Sequence, residues 1–102
     1  MRKEKEKRLE EEKEKWKSLV GKFFHSFDEE GYVQSQGVVL SSLGNGYYVV
    51  QYFEWLTGSP CRVSVVHIGE MVARKWAFYE SDDDMRYAFE YGFVKKRPLE
   101  AG

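Results

Sequence analysis

The sequence predicts a small, mainly β domain of antiparallel strands, and three observations carry that prediction. Between Tyr47 and Trp55, five of nine residues are aromatic and two more are β-branched, a composition that suits a pleated, half-buried surface. Gly44-Asn45-Gly46 stands directly before it, and an Asn-Gly pair is a strong hairpin signal because both residues reach positive φ at low cost. Four further short runs rich in aromatic or β-branched residues follow the same pattern, each bounded by turn formers.

At 102 residues the chain is expected to be one domain with a modest core. The net charge of −1 predicts no strong general attraction to nucleic acid or to anionic membrane. The charge is unevenly spread: residues 1–20 hold 8 Lys/Arg and 6 Glu, whereas residues 21–102 hold 8 Lys/Arg and 11 Asp/Glu. The part that would fold is therefore mildly acidic. Cys61 is the single cysteine, which excludes an intrachain disulfide and fits a reducing interior. No apolar run approaches the ~20 residues of a membrane-spanning helix. Arg2, Lys3 and Lys5 are not followed by the apolar segment of a secretion signal. No membrane partner and a cytoplasmic location are expected.

Residues 1–19 are almost all Lys, Arg and Glu, good helix formers. Glu4 precedes Arg8, and Glu11 precedes Lys15, by four residues in the favourable order. A charged N-terminal helix is predicted here, resting its last turn on a domain that spans 20–92. Lys22–Phe27 is a first strand, closed by the turn Asp28-Glu29-Glu30-Gly31. Tyr32–Leu43 is a second, with Gly37 as a bend or bulge. Tyr47–Leu56 is the third, and Thr57-Gly58-Ser59-Pro60 a loop dense in breakers. Arg62–Ile68 is the fourth strand, Ile68–Met71 a short helical turn, and Lys75–Tyr79 a fifth, short strand. Residues 81–91 read as a short C-terminal helix. Ser81 is a good N-cap with Asp84 three residues on. Asp82, Asp83 and Asp84 suit the positive end of the dipole. Met85, Ala88 and Phe89 keep helical spacing for a core-facing stripe. Gly92 ends the helix, and residues 93–102 form a loose basic tail.

Five short strands with one helical turn before the last resemble the SH3-like small β-barrel, in particular its Tudor-type versions. The resemblance covers about residues 21–79. It rests on Gln36-Gly37-Val38-Val39-Leu40, the Asn45-Gly46 hairpin, Tyr47–Phe53 and Val63–Met71. It implies a five-stranded antiparallel barrel, whose closure would remove the exposed edges of so apolar a sheet. Val66-His67-Ile68-Gly69 is also similar to a strand of the small barrel reductases carried on plasmids, but Gly69 stands where they have a substrate-binding tyrosine. That likeness reaches only to architecture.

Nothing in the chain spells out catalysis. His25, His67 and Cys61 lack metal-ligand spacing, and no metal or cofactor is expected. Cys61 has no histidine placed for nucleophilic chemistry. The three aspartates are accounted for by helix capping, and Gly44-Asn45-Gly46 is not a phosphate loop.

The aromatic residues are the more informative set. By the period of two, Tyr47, Val49, Gln51, Phe53 and Trp55 share one face of the third strand, and Tyr48, Val50, Tyr52, Glu54 and Leu56 the other. Both faces are bulky, so one lines the core and the other needs a cover. The C-terminal helix together with Trp16 or Leu19 is the expected cover. Any part left open would be a recognition surface, built from Tyr32, Tyr48, Tyr52, Trp55, Trp76, Tyr79 and Glu54. Such rings hold cations and suit protein interfaces, and Asp28, Glu29, Glu30 and Glu54 would favour a basic peptide. The expected function is a non-enzymatic module binding a protein or peptide partner, as monomer or homodimer. The alternatives are association with nucleic acid through Arg62, Arg74, Lys75, Lys95, Lys96 and Arg97, or a ligand-binding barrel completed by oligomerisation.

Overall fold

The computed structural model describes residues 19–96. Five strands, β1 (Phe23–Phe27), β2 (Val33–Gly44), β3 (Tyr47–Phe53), β4 (Pro60–His67) and β5 (Ala77–Tyr79), form one antiparallel sheet in the order β4-β3-β2-β1-β5. Helix α1 (Ile68–Ala73) joins β4 to β5, and helix α2 (Asp82–Glu90) follows β5. The sheet is open: β4 and β5 are its edges, and no pairing joins them. The expectation of five antiparallel strands stands, and the finer expectation of a closed barrel is not met by strand pairing. The charged helix expected over 1–19 lies outside the described residues except for Leu19.

The local chemistry explains the turns. In the β2–β3 hairpin Asn45 (φ 54°) and Gly46 (φ 84°) both take positive φ, as a type I′ turn requires. The β1–β2 turn is tied by Asp28, whose Oδ1 accepts from the N–H groups of Glu30 (2.9 Å) and Tyr32 (3.0 Å). Bulges interrupt β2 between Val39 and Ser41 and between Ser42 and Gly44, not at Gly37. Gly37 has another reason. It pairs with Phe24 on one side and Tyr52 on the other. A Cβ there would collide with the Gln51 carbonyl oxygen and stand 2.8 Å from the Phe24 ring. The glycine makes room for the Gln51 carbonyl and the Phe24 ring.

One face of the sheet carries the main core. Phe24, Val39 and Val50 are wholly buried there with Met71 of α1 nearly so, joined by Leu19, Tyr48, Val66 and Ile68. Phe24 stacks on Trp76 at 4.7 Å between ring centres and meets Tyr52 edge-on at 5.7 Å. Leu19 therefore packs into this core and does not cover the opposite face, as it was expected to; Trp16, the other expected cover, lies outside the described residues.

The opposite face is covered by α2 at one end only. Ser81 caps the helix, its Oγ accepting from Asp84 N–H at 3.1 Å. The helix's own Met85 and Ala88 are buried. Trp55 stacks on Phe89 at 4.9 Å, and Phe23 on Phe53 at 6.3 Å. The chain stays docked past the helix. Val94 is buried, and Val33 N–H donates to the Lys95 carbonyl at 2.8 Å. The loose tail expected from 93 is thus anchored through Lys96, because a hydrophobic residue and a backbone hydrogen bond hold it; 97–102 lie outside the described residues.

Candidate functional site

The inner face of the sheet, the one that carries the main core, is not apolar throughout. Cross-strand register places Ser26 opposite Ser35 and Tyr52 opposite Arg62, and Ser64 and Val66 continue the same face of β4 beyond Arg62. The two serine hydroxyls are hydrogen-bonded to one another. These polar side chains interrupt the apolar core along the inner face, although Val66 of β4 still belongs to it. A groove of about 850 Å³ opens there, within the range of ligand-binding clefts.

Its floor and walls come from separate elements. Tyr52 and Trp76 supply rings, both also held against Phe24. Arg62 lies over the Tyr52 ring at 4.3 Å from its centre. Burial pushes the Tyr52 phenol above its ordinary range, Arg62 opposes that shift, and Glu70 adds to it. Asp28, Glu29 and Glu30 from the β1–β2 turn and Glu70 from α1 line the groove together with Arg62 and Arg74. Four carboxylates against two guanidinium groups leave it at −2. The contact from Arg74 to Glu29 is 3.8 Å long between exposed side chains, so it neutralises little.

The aromatic residues singled out from the sequence are divided by the fold. Tyr52 and Trp76 line the groove. Tyr48 is on the same face but almost fully buried in the core, and burial raises its phenol pKa. Trp55 and Tyr79 are on the opposite face beneath α2, around His25. Tyr32 lies under the Lys95 ammonium, 4.3 Å from the ring centre. Glu54 is committed to its own loop: its N–H donates to the Ser59 carbonyl, its carbonyl accepts from Gly58 N–H, and its carboxylate accepts from Thr57 Oγ1. The single aromatic surface expected from Tyr32 to Tyr79 is therefore corrected to two rings in one groove, because strand alternation and the sheet's edge separate the others.

The basic residues are dispersed too. Arg62 and Arg74 share the groove with the carboxylates. Lys96 sits over Phe89 at 4.5 Å, next to a second cleft of about 420 Å³ floored by Phe53, Trp55, Met85 and Phe89. Lys75 occupies a positive-φ position (φ 56°) after α1. Arg97 is outside the described residues.

Both histidines have structural surroundings. His67 caps α1: its Nδ1 accepts from Gly69 N–H at 3.0 Å, which leaves Nε2–H to donate to the Asn45 carbonyl at 3.2 Å. It ties the β2–β3 turn to the helix. His25 is wholly buried, with Nδ1 2.8 Å from the Tyr79 hydroxyl and Nε2 without a hydrogen-bond partner among the described residues. Burial pushes its imidazole down to about 4, and burial likewise raises Tyr79. Cys61 is exposed, its thiol 3.4 Å from the Tyr52 carbonyl. Among the described residues no group of three His, Cys, Asp or Glu is placed to hold a metal ion, and no helix is long and apolar enough to cross a membrane.

Two features escaped the sequence reading. Glu70 completes the acidic wall, and its signal was weak because the helix carrying it is only six residues long. Tyr87, Tyr91 and Phe93 form an exposed aromatic stack, with ring centres 4.5 and 5.8 Å apart. The i, i+4 spacing of the two tyrosines on the face opposite Met85 and Ala88 was the available signal.

No family model matches the chain, and neither a curated protein nor a solved structure shows significant similarity to it.

Proposed function

We propose that this domain is an SH3-like small β module of the Tudor type that binds a basic segment of a protein partner in its concave groove, without catalysis and in the cytoplasm. The helical turn between β4 and β5, and β5 lying beside β1, support the architectural part. The observation that carries the functional part is the gathering of Tyr52, Trp76 and four carboxylates from four separate segments into one open groove. Aromatic faces attract cations, and an acidic wall raises the encounter rate with a basic ligand and disfavours an acidic one.

Calorimetric titration of the full chain tests this. The probes are a ten-residue peptide alternating lysine and valine, its glutamate–valine counterpart, and a short DNA duplex, at ~50 mM salt, where phosphate contacts are strong. The lysine peptide is expected to bind, and the other two to fail. Glu30→Lys with Glu70→Lys should abolish that binding with the circular dichroism spectrum unchanged. Failure of the lysine peptide, or binding of the duplex with a steep salt dependence, overturns the proposal.

A further inference from the structure

The walls of the groove say how a ligand would lie in it. Ser64, Val65 and Val66 are consecutive on β4, and all three border the groove. Side chains of consecutive strand residues point to opposite faces, so three in a row cannot meet one cleft through side chains. They meet it through the backbone edge of the strand. Among the described residues that edge is free, since β4 ends the sheet on this side. It is eight residues long, and Arg62 is its one charged residue. Free edges of this length are usually blunted by several charges, by a bulge or by a covering segment. The bulge here lies at the far end, between Tyr52 and Phe53 opposite Pro60 and Arg62, and the stretch from Val63 to Val66 pairs regularly with β3.

Across the groove stand the β1–β2 turn with Asp28, Glu29 and Glu30, and Glu70 rises from the end of β4. A guest in this space thus meets a line of backbone donors and acceptors on one side and carboxylates on the other. From this geometry we infer that the groove takes its ligand as an added strand: an extended basic peptide that pairs with the β4 edge and becomes the sixth strand of the sheet. Side chains alternate along such a guest. One set turns down onto Tyr52 and Trp76, and its cations reach the carboxylates of the turn and of Glu70. The other set turns outward beside Val63 and Val65, which are each 56 % exposed. Main-chain pairing supplies affinity and the alternate side chains supply selectivity, as in other strand-addition complexes. The guest also covers an edge that would otherwise be open to self-association.

This inference rests on the peptide-binding reading and adds its mode, and one experiment separates the two. The lysine–valine peptide is titrated into isotopically labelled full-length protein, and amide exchange and proton–proton contacts are followed by NMR. Strand addition predicts at least tenfold slower exchange at backbone amides between Arg62 and Val66, cross-strand α-proton contacts from that segment to the peptide, and no change at β5, the other edge. A copy of the peptide N-methylated on every lysine nitrogen, and one methylated on every valine nitrogen, keep the charge but each block one edge of the guest. At least one of them should bind tenfold or more weaker. Saturable binding with unchanged β4 exchange and equal affinity for all three peptides overturns strand addition while leaving the groove as the binding site. No binding of the unmodified peptide overturns both.

Discussion

The two faces of the sheet are packed by different chemistry. The inner core around Phe24, Val39, Val50 and Met71 is apolar and wholly buried, and its one special demand is the absence of a side chain at Gly37. The smaller cluster beneath α2 encloses a titratable ring. His25 lies within 6.1 Å, centre to centre, of Trp55, Tyr79 and Phe89, with one nitrogen unpartnered among the described residues. Apolar packing depends little on pH, whereas a neutral buried imidazole resists protonation only while its pocket stays closed. The first core should therefore set the stability of the fold, and the second should set its response to acid.

The largest effect tests the inner core. Phe24→Ala removes a fully buried ring that touches Tyr52 and Trp76, and should cost about 3–5 kcal/mol, read as a loss of the chemical denaturation midpoint for the whole domain. Gly37→Val should be at least as damaging, because the added carbons meet the Gln51 backbone and the Phe24 ring. A mild effect of either would mean that the inner face is not the stabilising core.

The second prediction concerns acid. The ordinary histidine value is 6.5 and the folded value about 4, so the unfolded chain binds the proton more readily. His25 then leaves stability intact above pH 6.5, withdraws it progressively as pH falls from 6.5 to 4, and adds no further loss below that. At 1.36 kcal/mol per pH unit the loss by pH 4 is about 3 kcal/mol, on top of any carboxylate effects. His25→Phe keeps an aromatic ring beside Trp55 and Phe89 and should flatten this part of the profile in urea melts at stepped pH. An unchanged profile would assign the acid response elsewhere.

Two smaller changes ask whether the regions open separately. Ser81→Ala removes the cap of α2 and should cost about 1 kcal/mol. If the cluster under α2 opens alone, hydrogen exchange speeds up at Met85–Phe89 and stays slow at Val39 and Val50; equal acceleration at both would make the two regions one cooperative unit. Arg86 and Asp82 form an exposed i, i+4 pair at 3.0 Å, and Arg86→Ala should cost only about 0.3–0.5 kcal/mol, detectable as a shift confined to α2.

Much of the fold was legible because its signals are local. Asn45-Gly46 specifies its own turn, Ser81 its own helix start, and the alternation along Tyr47–Phe53 its two faces. One boundary erred where a loop closes on itself. β3 stops at Phe53, not Leu56, because Glu54 closes a loop with Gly58 and Ser59. The candidate site was legible only in part. Tyr52, Trp76, Asp28, Glu29 and Glu30 were named, but so were Trp55 and Tyr79, which face away from them, and Glu70 was missed. Residue type marked these side chains as suited to recognition, and type carries no information about which of them meet.

By itself the sequence determined the strand-rich class, the hairpin at 44–46, the capped helix after Ser81 and the mild acidity of the folded part. These follow from backbone propensity, turn stereochemistry and charge, which act over a few residues at a time. Only the tertiary structure decided that Gly37 serves the Phe24 ring, that His25 is sealed beneath α2, and that carboxylates from the β1–β2 turn and from α1 stand across a groove from the free edge of β4. Those facts depend on which strands become neighbours, and strand pairing joins residues that are dozens of positions apart in the chain.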